Sequence, residues 1–374
     1  MGAVSRSRNG SGQLQAASTA ETSYLAFFKR QFVQPVPLPV DLNLVGKAAI
    51  VTGANAGLGF ESSRQLLQAG LSRLILAVRS QTRGDAAAEK LRREYPGAEV
   101  LVWILDMDSY ESIQAFAARC AAELDDHQRA IDIVILNAGI QRNAYEAAPA
   151  TEHELVLQVN YLSTMLLAIL LLPIMKQGRR QRRGRSSINN STETPSSPPP
   201  VLTVVTSDTA YVAPALDASA KSIIAQLNSP DSRKNYSSFF QYAQSKVLQQ
   251  SFVPRLAACV DPDDVVLNLV NPGLCRDTAF SDGVMSGLAL RAYHLFMAAV
   301  ARTVEVGATT YVDAVAVKGK ESHGSLISDW RVKPFPPSLY GETGQKIQDT
   351  LWEETLDEFE FAGAREIVAR LGRD

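Results

Sequence analysis

Val51-Thr52-Gly53-Ala54-Asn55-Ala56-Gly57-Leu58-Gly59 decides how this chain reads. The apolar run before it, Ala48-Ala49-Ile50-Val51, is too short for a helix and suits a buried strand. The segment after it, Phe60 to Ala69, reads as a helix closed by Gly70. A strand, a glycine-rich turn and a helix form the layout that holds a pyrophosphate. Glycines let the backbone approach the phosphates, and the free N–H groups of the first helical turn favour the anion. A tight turn without a ligand would use the same glycines, so the rest of the chain must decide.

The 374 residues suffice for one large α/β domain with extensions, or for two domains. An apolar fraction of 46% supports a sizeable core, and a net charge of −2 gives no nucleic-acid footprint. Cys120, Cys259 and Cys275 are too few and scattered for a disulfide framework or a metal site, which fits a reducing, cytoplasmic setting. The run Leu162 to Met175 is shorter than a membrane span and contains Pro173, so it reads as a buried helix.

Residues 1–43 read as an N-terminal arm. Its first 22 residues are polar and small, and 23–40 carry Phe27, Phe28, Phe32 and prolines without a regular fold. From residue 44 to 374, strands and helices alternate. Strands are expected at 74–78, 100–105, 131–136, 201–205 and 265–270, with helices at 83–94, 109–124, 151–176 and 242–258. This pattern predicts an α/β fold, a Rossmann-type doubly wound parallel sheet in a single domain, with ligands at the carboxyl ends of the strands. Residues 178–200, rich in arginine and then in serine and proline, read as a disordered internal insertion.

The strand ends carry the chemistry. Arg79 follows the second strand, where an acidic residue would favour NAD; a guanidinium suits a 2′-phosphate and favours NADP(H). Asp106 follows the third strand, with Asp108 placed to cap the next helix. Asn137-Ala138-Gly139 follows the fourth, and Asn160 lies amid apolar residues of a helix. Ser207 follows the fifth strand, and Tyr242-Ala243-Gln244-Ser245-Lys246 puts a phenol and an ammonium on one helical face. A nearby ammonium, and the positive nicotinamide of an oxidised complex, should lower the phenol's pKa and fit it for proton transfer.

With Asn271-Pro272-Gly273 after the sixth strand, these motifs stand in the order and context of one family. Residues 44–330 resemble the short-chain dehydrogenase/reductase family. The resemblance implies an NADP(H) turn built from Gly53, Asn55, Gly57, Leu58 and Gly59, with Arg79, Asp106, Asn137, Pro272, Gly273 and Thr278 also touching the cofactor. It implies that Ser207 binds the substrate oxygen, Tyr242 protonates it, Lys246 binds the nicotinamide ribose, and Asn160 joins Lys246 to solvent through water. It further implies a substrate lid at 274–303 and a homodimer paired through helices 151–176 and 242–258. The spacing from Ser207 to Tyr242 is longer than in compact members, so 211–241 should form an added loop near the substrate. The tail, from Ser322 to Trp330 with the helix Glu342 to Phe359, resembles fungal members of the retinol-dehydrogenase-like branch, many of which tailor secondary metabolites.

The expected activity is therefore NADPH-dependent reduction of a carbonyl on a lipophilic or aromatic small molecule. The alternatives are the same site run as an NADP-dependent alcohol dehydrogenase, and a nucleotide-binding scaffold without turnover. No metal and no nucleic-acid partner are expected, and no integral membrane span.

Overall fold

The computed structural model of the chain describes residues 10–127, 129–188, 198–276 and 295–372. Eight strands form one sheet in the order β3-β2-β1-β4-β5-β6-β7-β8. They are β1 (Ala48–Thr52), β2 (Arg73–Val78), β3 (Glu99–Ile104), β4 (Ile133–Leu136), β5 (Val201–Val205), β6 (Val266–Asn271), β7 (Leu326–Ser328) and β8 (Arg331–Lys333). Neighbours from β3 to β7 run parallel, and β8 returns antiparallel to β7. The helices that matter are α1 (Tyr24–Gln31), α2 (Gly57–Gln68), α3 (Gln81–Glu94), α4 (Tyr110–His127), α5 (Thr164–Ile188), α6 (Ser238–Ala257), α7 (Val304–Ala316), α8 (Gly341–Glu358) and α9 (Ala364–Leu371).

The central strands are mostly apolar because both faces of the sheet are covered there. Ile50, Val134, Leu136, Leu202 and Val204 point to one face and pack with α4, α5 and α6. Ala49, Val51, Ile133, Ile135 and Val205 alternate to the other and pack with α2, α3 and α7. Each such Leu or Ile contributes roughly 1.5–3 kcal/mol by leaving water. The sheet is doubly wound as expected, and its order reverses between β1 and β4. That reversal opens a crevice at the carboxyl ends of the strands.

Two expectations are corrected. The arm is not irregular from residue 10 onward: it forms short helical turns and then α1, and Ser11, Arg30 and Gln31 are buried. Residues 178–188, expected to lie in the insertion, continue α5. Arg179 is buried against the Pro198 carbonyl, Arg182 pairs with Asp132, and Lys176 meets Asp264 at 3.1 Å. Residues 189–197 lie outside the described residues. The stretch Leu155–Arg183 is long and apolar enough to cross a membrane, but 94% of its most apolar window is buried within the protein, as a core helix is.

α8 lies over α6, with Trp352 stacked on Phe252 at 4.9 Å and capped by the Arg255 guanidinium at 5.0 Å. α9 lies along α5, where the Leu371 carbonyl accepts from Lys176 at 2.6 Å. The C-terminal helices α8 and α9 therefore cover part of α6 and α5. The added loop 211–241 is partly helical, and Glu354 of α8 accepts the Ile223 and Ile224 N–H groups.

Trp352 is 8% exposed at this contact. Trp352→Ala should lower unfolding stability by about 3 kcal/mol or more in urea titration. A loss under ~1 kcal/mol would show that α8 is not part of the folded core.

Candidate active site

Three elements meet at the end of β5. Ser207 follows the strand and caps the short turn Asp208–Val212, its Oγ accepting from Thr209 N–H at 3.2 Å. Tyr242 and Lys246 lie one turn apart on α6, whose start is capped by Ser237. The Ser207 and Tyr242 hydroxyls are neighbours here, and the serine lowers the phenol's pKa. The Lys246 ammonium sits 5.4 Å from the centre of the Tyr242 ring and donates to the Val205 carbonyl at 3.0 Å. The structure thus brings together the phenol, hydroxyl and amine that the sequence placed far apart.

Burial dominates the electrostatics. It pushes the Tyr242 phenol up; the Asp208 carboxylate adds to this, and Ser207 opposes it. Burial alone pushes the Lys246 amine down to about 7. The expected lowering of the phenol by its neighbouring ammonium is outweighed here by burial. A protonated phenol is the form that can donate.

Asn160 sits in a π-type turn, Gln158–Ser163, a local widening often found at functional sites. Its Oδ1 accepts from Ile140 N–H at 2.8 Å, and its Nδ2 donates to the Ile140 carbonyl at 2.9 Å and to Ser245 Oγ at 3.1 Å. Its own carbonyl accepts from Gln249 Nε2 at 2.6 Å. The side chain ties the Asn137-Ala138-Gly139 turn to α6. Between them lies Gly139, where a Cβ would come 3.3 Å from Asn160 Oδ1 and 3.8 Å from Lys246 Nζ.

The glycine turn fits a dinucleotide pyrophosphate. Gly53 and Gly57 adopt positive φ of 66° and 56°, and Ala56, the N-cap of α2, leaves the helix's first N–H groups without a side-chain cap. Asn55 and Leu58 lie on the same turn, and Leu58 faces the cavity. A Cβ on Gly59 would stand 2.5 Å from Asn137 Nδ2, so only glycine lets the two turns meet. Asn137 donates to the Thr52 carbonyl at 2.9 Å and accepts from the Tyr311 hydroxyl at 3.2 Å. Arg79 is exposed and pairs with Asp108 at 3.3 Å. Asp106 accepts the Asp108 N–H at 3.1 Å, and Ser109, not Asp108, caps α4 through the Ser112 N–H. Pro272 and Gly273 border the cavity, whereas Thr278 and most of the 274–303 lid lie outside the described residues.

Ser207, Tyr242 and Lys246 open into a cavity of 810 Å³. Sequence reasoning missed three of its contributors. Tyr311 of α7 reaches it from the far face of the sheet, and Asp208 follows the serine. The arm supplies Tyr24, Phe27 and Phe28. Only the paired phenylalanines gave a signal, as apolar rings in an otherwise polar arm. His323 is structural: its Nδ1 accepts from Leu267 N–H at 3.1 Å.

A family model described as short chain dehydrogenase matches residues 47–191. The chain is 44% identical over 368 residues to short chain dehydrogenase virL of Hypocrea virens, covering 97% of this chain and 99% of that protein. It is 41% identical over 343 residues to short chain dehydrogenase/reductase mfmJ of Annulohypoxylon moriforme, covering 91% and 93%. Among solved structures, the L-sorbose reductase of Gluconobacter frateurii, complexed with NADPH and L-sorbose, superimposes with a TM-score of 0.54. It is 19% identical, with 78% of this chain and 98% of that chain covered, a likeness of fold.

The buried Lys246 predicts a pH effect. Below pH 7 its ammonium is charged in both the folded and the unfolded chain, and folding bears the full cost of burying it. Between 7 and its ordinary 10.5 the unfolded chain binds more protons, so stability from this group rises with pH. Lys246→Met should therefore gain stability over the parent at acidic pH, with the gain shrinking toward alkaline pH, in urea titrations without cofactor. A pH-independent difference would contradict this.

Proposed function

Because the chain belongs to the short-chain dehydrogenase family, we propose that it is an NADPH-dependent reductase acting on a carbonyl group of a lipophilic or aromatic small molecule in secondary-metabolite biosynthesis. The observation that carries this reading is Ser207 beside the Tyr242 phenol, with Lys246 5.4 Å from its ring, at the end of a cavity walled by Leu58, Val205, Val212, Leu274 and Met297. When bound, the nicotinamide supplies hydride to the carbonyl carbon. Ser207 hydrogen-bonds the carbonyl oxygen and holds it against Tyr242, whose phenol gives up its proton as negative charge develops there. Lys246 stands ready to bind the nicotinamide ribose, and its amine, near neutral by burial, is poised to return a proton to the phenol. Asn160 fixes the turn beside Lys246. In the reverse direction the same groups oxidise an alcohol, with the cofactor ratio setting the direction.

The cofactor preference rests on Arg79. Its guanidinium is exposed at the end of β2, where the adenosine ribose of a dinucleotide lies in this kind of fold. Its present partner Asp108 has its carboxyl pushed up by burial and by Asp106, which weakens its hold on the arginine as an anion. The L-sorbose reductase that shares this fold is itself complexed with NADPH. The three cysteines are free thiols, in keeping with a reducing, cytoplasmic setting.

Tyr242→Phe should lower kcat for NADPH oxidation by lipophilic ketones by about 10²–10⁴-fold while leaving NADPH affinity in place. Unchanged turnover would remove Tyr242 as the acid. Arg79→Asp should raise KM for NADPH by about tenfold to a hundredfold and spare NADH. An unaltered preference would assign the 2′-phosphate to other residues.

A further inference from the structure

We propose that the N-terminal arm is the specificity-determining wall of the substrate cavity, and that Arg30 is the positioning residue that holds it beside Ser207. The proposal rests on the reading of Ser207 and Tyr242 as the reacting pair. It adds a substrate class, planar aromatic ketones, and a device that selects it.

The arm's rings have no packing role to explain them. Tyr24, Phe27 and Phe28 of α1 line the same cavity as Ser207 and Tyr242, yet none joins the apolar core on either face of the sheet. Phe27 and Phe28 meet edge to face at 5.4 Å, while Tyr24 remains 86% exposed and Phe28 38% exposed. Rings left open toward a cavity await a partner. Phe239 at the start of α6 and Phe296 in the helical stretch 295–300 border the same space, each partly exposed. Rings from three separate segments therefore border one opening, an arrangement suited to stacking and edge contacts with a flat aromatic molecule.

What holds the arm is a buried set of charges. Arg30 Nε donates to Asp208 Oδ2 at 3.1 Å, one residue after the serine, and its Nη1 reaches Glu21 Oε2 at 2.7 Å. Lys333 meets the other Glu21 oxygen at 2.9 Å. The Arg30 carbonyl accepts from Arg302 Nη2 at 2.7 Å, and Arg302 also donates to the Pro272 carbonyl at 2.9 Å and to Asp329 at 2.6 Å. Three cations thus balance three carboxylates, and the arm is fastened both to the loop that carries Ser207 and to the segment after β6. A second fastening sits upstream, where Ser11 Oγ accepts from Leu326 N–H at 2.8 Å. An arm needed only as a cover would not require this much buried charge. A wall that must stand at a fixed distance from the reacting hydroxyls would, since burying unpaired charge is unfavourable and fixes the pairing.

The test is steady-state reduction of two ketones by NADPH, 2-acetylnaphthalene and 2-butanone, with the full chain. For the Phe27→Ala/Phe28→Ala double variant, KM for 2-acetylnaphthalene should rise about tenfold or more while NADPH affinity and 2-butanone turnover hold. Arg30→Met should show the same selective loss, and Arg30→Lys should restore much of it, because the charge on Asp208 is met again. NADPH binding by fluorescence reports whether each variant is folded. Equal loss for both ketones, or none for either, would overturn the arm's role while leaving the reductase reading intact. Failure of the parent chain to reduce any carbonyl with NADPH would instead overturn that underlying reading.

Discussion

The meeting of Ser207 and Tyr242 sets the terms for the rest of the molecule. One partner stands at the end of β5 and the other on α6, so the helix must lie along the strand in a single register. A stripe of α6 fixes it. Tyr242 meets Ser207, Lys246 donates to the Val205 carbonyl at 3.0 Å, and Gln250 donates to Thr206 Oγ1 at 3.1 Å and to the Ser207 carbonyl at 3.0 Å. These positions recur every four residues and share one helical face. A slip of one residue along α6 would break all of them together.

That pinning has an electrostatic consequence. It draws an amine and a phenol out of water without a carboxylate beside the amine, and burial moves both toward neutrality. Among the described residues, the carboxylate that acts on the phenol is Asp208, and it is answered by Arg30 from the arm. The arm, which looks dispensable in the sequence, therefore compensates a charge placed next to the reacting serine. α8 and α9 cover part of α6 and α5.

Much of this was legible in the residues. Runs such as Ala48–Val51 and Val201–Val205 are buried at every position and almost wholly apolar because their strands are covered on both faces, and that places the strand ends. Glycine spacing and the Tyr242–Lys246 interval then name the site. What escaped depends on partners distant in sequence. The arm is ordered by Arg30 meeting Asp208 and by Ser11 meeting Leu326, neither of which composition can reveal. The extension of α5 through Arg182 rests on Asp132, and the placement of α8 on Phe252. The choice of Ser109 over Asp108 as a cap was equally hidden, since Asp108 is drawn to Arg79 on another strand end. The phenol's shift was misjudged because local spacing shows the ammonium but not the depth at which both groups lie.

The central claim is that Tyr242 is a buried phenol which becomes an acid of useful strength only when the cofactor is in place. Ultraviolet difference titration of tyrosinate, comparing the parent chain with Tyr242→Phe, tests it most directly. The account predicts no difference between the two below about pH 10 in the free proteins, and with NADP⁺ bound one tyrosine ionising below that value in the parent alone. Identical titrations of the two proteins in the presence of NADP⁺ would contradict it.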